Sequence, residues 1–204
     1  MILCAVTAYA KKVKVTIDGQ VSPSQTKLYL IVNEDTANAV RVPITDAQFS
    51  ITVKVDKDAF IRLHDYKDWP ERSIFVLIPD SRHITVDWRT GSIEGSPMSK
   101  KLKEEIIRIS REGPGNFHID VFSEDPEAWA EARVRERSIR AQMEMRQRET
   151  IGTVIRENAD NNIPAWVYYC YKSFLSDPPI PLEALVGSPT AHPKWMDHPI
   201  LKQQ

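Results

Sequence analysis

Short runs in which apolar and polar residues alternate, one after another between residues 13 and 95, constrain this chain more than anything else in it. Val13, Val15 and Ile17 alternate with lysine and threonine; Phe49, Ile51, Val53 and Val55 alternate with Ser50, Thr52 and Lys54; Ile84, Val86 and Trp88 alternate with Thr85, Asp87 and Arg89. A period of two puts one set of side chains on a buried face and the other in water, so each run reads as a half-buried strand. Residues 26–33 and 73–78 are apolar on both faces and read as more central strands, and 40–44 and 59–63 complete the set. Turn signals separate them: Asp18-Gly19, Ser22-Pro23-Ser24, Thr45-Asp46-Ala47, Asp56-Lys57-Asp58, Pro79-Asp80-Ser81 and Thr90-Gly91. About seven short strands at this spacing predict an antiparallel β-sandwich or barrel.

The pattern changes at Ser96-Pro97, where a serine N-cap and a proline at the first helical position start a helix. Leu102, Ile106 and Ile109 give it one apolar stripe, and Gly113-Pro114-Gly115 ends it. Residues 117–122 are open between strand and ordered loop. Asp125-Pro126 opens a long polar helix reaching about Asn158, Asn161-Asn162 break it, and Pro164 opens a last helix apolar on most faces. The expected class is therefore α+β, with a sandwich or barrel at 11–96 and about three helices in 97–204.

With 42% hydrophobic and 27% charged residues, the 204-residue chain can bury a core. A net charge of −1 argues against a nucleic-acid partner, and no apolar run is long enough to predict a transmembrane segment. Residues 1–10 carry no charge and end in Ala8-Tyr9-Ala10 before two lysines, an A-x-A cleavage pattern that reads as the remnant of a signal peptide. Export to the periplasm or cell envelope is the expectation. Cys4 would leave with that segment, so Cys170 would remain alone, read as a buried thiol on an apolar helix.

The order of several short motifs resembles a known family. Ile17-Asp18-Gly19, the stretch Lys27–Leu30, Asp46-Ala47-Gln48-Phe49, residues 74–79 and Ile93-Glu94-Gly95-Ser96 are similar to the DUF4369 domain. That domain stands in front of thioredoxin-like (AhpC/TSA or TlpA-like) domains in exported proteins of Bacteroidetes-type bacteria. Residues 155–162 (IRENADNN) and the aromatic helix after them resemble the same family's helical connector, as does His198-Pro199. Ala47 stands where the family has glycine, so a different hairpin turn is expected. The resemblance implies the accessory half of a redox protein. The C-x-x-C pair that carries the family's thiol–disulfide chemistry has no counterpart among the two cysteines here.

No spacing assembles a nucleophile, base and orienting group, and no cofactor-binding motif is present, so no catalytic, cofactor or metal residue is assigned. His192, Asp197 and His198 have metal-ligand chemistry but no regular element to converge them, and His64-Asp65 and His118-Ile119-Asp120 read as loop and surface groups. Arg133, Arg135, Arg137, Arg140, Arg146 and Arg148 are interleaved with Glu131, Glu136, Glu144 and Glu149, which reads as a solvated helix carrying its own i,i+4 pairs. The one candidate ligand or partner surface is the aromatic loop with Tyr66, Trp69 and Arg72. The expected function is a non-catalytic interaction module, with a separate thioredoxin-like protein or a second copy of the chain as partner. The alternative is a small-ligand or glycan-binding protein using that loop.

Overall fold

The computed structural model describes residues 11–65, 75–120, 122–176, 185 and 193–202. It divides into two compact units, one reaching Lys103 and including Lys202, the other spanning Glu104–Leu201.

The first unit is a sandwich of two four-stranded sheets. One has the order β4-β1-β7-β8, from Gln48–Asp56, Lys12–Gln20, His83–Asp87 and Ser92–Glu94. The other has the order β3-β2-β5-β6, from Val40–Arg41, Tyr29–Val32, Ile61–His64 and Phe75–Leu77. The alternating runs bury the residues their period assigns. Val15, Ile17, Phe49, Val55, Ile84 and Val86 from one sheet form a single core with Leu30, Ile61, Leu63, Phe75 and Leu77 from the other. Each such side chain, fully buried, contributes about 1.5–3 kcal/mol relative to exposure. The Phe75 and Trp88 rings meet edge to face at 5.0 Å.

The expected sandwich is the one observed, with three refinements. The described strands number eight, because Ser92–Glu94 pairs with His83–Asp87 just beyond the Thr90-Gly91 turn. The first sheet is mixed, since β1 runs parallel to β7 (Ile17 beside Ile84) while pairing antiparallel with β4. Neither sheet closes on itself among the described residues, so the unit is a sandwich and not a barrel. β6 lies at a sheet edge although its run is apolar on both faces, and amphipathic β4 is also an edge strand.

Close approach explains the glycine of Ile17-Asp18-Gly19. A Cβ on Gly19 would lie 2.5 Å from the Val86 carbonyl oxygen and 2.7 Å from the Phe49 ring. Gly95 has φ +81°, and a Cβ there would lie 2.3 Å from the His83 carbonyl oxygen. Ser96 then caps α1 (Pro97–Glu112), accepting from the Ser99 amide at 3.1 Å and donating to the Ile78 carbonyl at 3.1 Å. The Ser99 hydroxyl accepts from the Ile78 amide at 2.8 Å. Both serines are fully buried, so the helix start and the end of β6 satisfy each other's backbone groups. At Asp46-Ala47 both residues are left-handed (φ 51° and 59°) between the paired Thr45 and Gln48, the pattern of a type I′ hairpin. The departure from glycine is thus met by an alanine held in a glycine-like conformation.

The second unit holds the later turns of α1, then α2 (Pro126–Glu157) and α3 (Ile163–Leu175). Asp125 caps α2 by accepting from the Glu127 amide at 2.9 Å. Residues 117–120 form a loop, not a strand, held to α2 by Glu136 and Arg140, the latter bonding the Phe117 carbonyl. Asn158 is fully buried at the end of α2 and bonds the Val154 carbonyl at 2.9 Å and Glu105 at 3.2 Å. Asn161 bonds Asn158 and accepts from the Ile163 amide, so the asparagines of the connector-like stretch build the α2–α3 turn. Ile151, Val154 and Ile155 of α2 are buried, as are Ile163, Trp166 and Val167 of α3. Trp195, in a 3-10 turn at Lys194–Asp197, packs against Tyr168 at 5.9 Å. The aromatic helix is therefore covered in part by the chain's own tail.

Candidate functional site

Tyr66, Trp69 and Arg72, the surface proposed from sequence, lie outside the described residues. Four other places bring polar or exposed apolar groups together.

The first is the non-core side of β5. Arg62 and His64 alternate with core residues Ile61 and Leu63, yet all of them are buried. Arg62 Nε lies 2.8 Å from Glu34 Oε1, with the side chains 1% and 6% exposed. Glu34 is delivered by a reversal in which Asn33 and Glu34 both have positive φ (49° and 63°) and the Asp35 amide returns to the Val32 carbonyl. Asn33 pins the reversal by exchanging bonds with the Phe60 backbone, its side-chain oxygen accepting from the Phe60 amide at 2.8 Å. Burial pushes the Glu34 carboxyl above the usual glutamate value, and Arg62 opposes that push through its charge and hydrogen bond. Removing either partner of a pair this enclosed would leave the other charge buried and uncompensated, at a cost of about 3–5 kcal/mol. His64 corrects the surface reading: it is 1% exposed, with Nδ1 3.2 Å from Asp65.

The second is a trio on the solvent face of the other sheet, Asp18 of β1, Ser50 of β4 and His83 of β7. Strand register sets Asp18 beside Ser50. His83 Nε2 is hydrogen-bonded to Asp18 Oδ2, and hydrogen bonds from Ser50 and then His83 hold the Asp18 carboxyl below the ordinary aspartate range. The residue types match a hydrolytic triad, but the connectivity does not. Here the carboxylate sits between serine and histidine, so the imidazole does not address the serine hydroxyl. Sequence reading missed this trio because its members lie on three strands whose pairing no local pattern announces.

The third is a half-open cleft of about 420 Å³ lined by Gln20, Val21, Asp46, Ala47, Asp87 and Arg89 among others. The Asp87 carboxylate is turned onto its own loop, accepting from the amides of Arg89 at 2.8 Å and Thr90 at 3.3 Å.

The fourth is the surface of α2. No residue from 126 to 150 is buried. Trp129, Val134 and Met145 are 41%, 66% and 59% exposed. Ala130, Val134, Ala141 and Met145 are spaced to share one face of the helix. Of the predicted charge pairs, Glu136–Arg140 forms at 3.1 Å. Arg148 reaches the Leu175 carbonyl at 3.3 Å and lies over the Phe174 ring at 5.4 Å, so it serves the end of α3.

Cys170 is exposed, against expectation. The first turn of α3 is buried all round, but beyond Val167 only one side stays covered, and Cys170 and Ser173 fall on the other. His118 is exposed beside Glu136 and Asp120, as read from sequence. His198 is 5% exposed, and its Nδ1 accepts from the Ile200 amide at 3.2 Å. His192 lies outside the described residues. Among the described residues no group of three or more His, Cys, Asp or Glu side chains is placed to hold a metal ion, and no helix is long and apolar enough to cross a membrane. No protein-family model matches the chain, and no curated protein matches it.

Proposed function

We propose that this chain is a non-catalytic accessory module of the exported, DUF4369-like kind, and that it docks a separate thioredoxin-like protein. The observation that carries the reading is α2, thirty-two residues long, with its first six turns outside any core and apolar side chains turned to solvent. Isolated exposed apolar residues are ordinary, but a run of them on one helical face, flanked by arginine and glutamate, has the make-up of a docking surface. The resemblance of the motif order to the family's sandwich and connector supports the choice of partner. Gly19, Gly95, Ser96 and Asn158, which carry that resemblance, all have structural duties here.

The test is a calorimetric titration of the full chain with the purified thioredoxin-like protein encoded nearest to it in the same genome. Saturable binding, weakened about tenfold or more by Val134→Glu or Met145→Glu, is the expected result for apolar contacts at the centre of an interface. Absence of binding, or binding indifferent to both substitutions, overturns the proposal.

A further inference from the structure

Among the described residues, three of the four sheet edges are formed by short strands: two residues in β3, three in β6 and three in β8. The fourth is β4, nine residues long and regular, paired with β1 from Lys12–Asp56 to Gln20–Gln48 without a bulge. Among the described residues the only contact of strand type on its outer side is the Thr45–Gln48 bridge, after which Pro43, which has no amide hydrogen to offer, leaves the edge open. Long open edges attract further strands, and proteins normally blunt them with bulges, prolines, inward charges or lysines on the edge. β4 has no bulge, proline or inward charge, and Lys54 is its single lysine.

The direction of its backbone groups follows from β1. The Thr16 amide and the Gln20 carbonyl point to the β7 side, whereas the Val21 amide points to Ala47. Odd-numbered β1 residues therefore address β4, and their partners Phe49, Ile51, Val53 and Val55 turn their own backbone groups inward. Ser50, Thr52 and Lys54 are left with N–H and C=O outward, and all three side chains are exposed. The core-side residues Ile51 and Val53 are only partly covered, while Val15 and Ile17 on the next strand are 0% exposed.

The geometry points to β4 as a self-association edge whose occupant is β4 of a second copy, antiparallel and centred on Thr52. In that register the outward backbone groups of Ser50, Thr52 and Lys54 all meet their complements. Ser50 exchanges bonds with Lys54 of the second copy, Thr52 with its own equivalent, and Lys54 with Ser50. No like charges stand opposite each other, the solvent side gains a Thr–Thr pair, and Ile51 meets Val53 on the core side. Moving the centre to Lys54 would oppose two lysines, and moving it to Ser50 would carry the pairing into the Asp46-Ala47 turn. The chemistry of β4 thus fits its own copy from Ser50 to Lys54. This surface lies on the sandwich, distinct from the α2 surface proposed for the thioredoxin-like partner.

Sedimentation over a concentration series on the full chain, with site-directed cross-linking in a Cys4→Ser, Cys170→Ser background, tests it. Opposed Thr52 residues would have Cα atoms about 5.5 Å apart, within disulfide reach. Concentration-dependent dimers are expected, with Thr52→Cys cross-linking on mild oxidation and Met145→Cys on α2 failing to. Thr52→Pro removes an outward amide together with the hydroxyl bond to Thr16, and Thr52→Lys places like charges on the two-fold axis. Each should weaken the dimer about tenfold or more while circular dichroism stays native. A chain that is monomeric throughout, or a dimer that cross-links through Met145→Cys and is indifferent to Thr52→Lys, overturns the proposal.

Discussion

Removing the Ser96 and Ser99 hydroxyls singly and together probes the junction that fixes where the sheet ends and the helix begins. Ser96→Ala loses the N-cap bond to the Ser99 amide, about 1 kcal/mol, and the bond to the Ile78 carbonyl, about another 1 kcal/mol. Ser99→Ala strands the Ile78 amide, and a buried donor without a partner costs about 1–3 kcal/mol. Both hydroxyls converge on Ile78 and on each other, so the double variant should cost less than the sum of the singles. About 3 kcal/mol is expected for the pair, against about 4 kcal/mol if they acted independently. Urea unfolding followed by far-ultraviolet circular dichroism measures this, with an unchanged slope showing that the same surface is exposed in every variant. Costs below about 0.5 kcal/mol for each single variant, adding strictly, would refute the account of the junction, because surface substitutions already give that much.

Three other outcomes follow from the same geometry. Gly95→Ala should destabilise by about 2 kcal/mol or more in the same assay, since φ +81° and the His83 carbonyl leave no room for a methyl; a neutral result would contradict both observations. Glu34 has a folded pKa raised by burial, so its folded form holds the proton more tightly than the unfolded chain does. Its contribution is present below the ordinary glutamate value and lost as pH rises through the folded one; wild type should therefore lose stability relative to Glu34→Gln across that window, and a relative gain with rising pH would reverse the sign claimed here. Cys170 should react with a thiol reagent in the native protein nearly as fast as after unfolding, while the chain should not catalyse insulin reduction above the uncatalysed rate. Slow native labelling would contradict the exposure, and turnover abolished by Cys170→Ser would contradict the functional reading.

The strands that sequence reading places best are those with one wet face. β1, β4 and β7 alternate cleanly because water and core impose opposite chemistry on neighbouring residues. The helix starts were equally legible, because Ser96-Pro97 and Asp125-Pro126 carry their caps within a few residues. What local pattern could not supply was pairing. The parallel contact of β1 with β7 joins segments far apart in sequence, and β8 is too short for a period to register. The candidate sites were hidden for the same reason. Glu34 and Arg62 are 28 residues apart, and Asp18 and His83 are 65 apart. Residue type misled in both directions: His64 is enclosed because the non-core side of β5 is itself covered, and Cys170 is open because α3 is buried all round only in its first turn.

The central claim is that α2 is the docking surface of an accessory module. Hydrogen–deuterium exchange of the full chain with and without the thioredoxin-like partner tests it most directly. A segment whose residues 126–150 are nowhere buried should exchange fast when alone and slow markedly in the complex, with the sandwich strands unchanged. Protection confined to the sandwich, with α2 exchanging as it does alone, would contradict the claim.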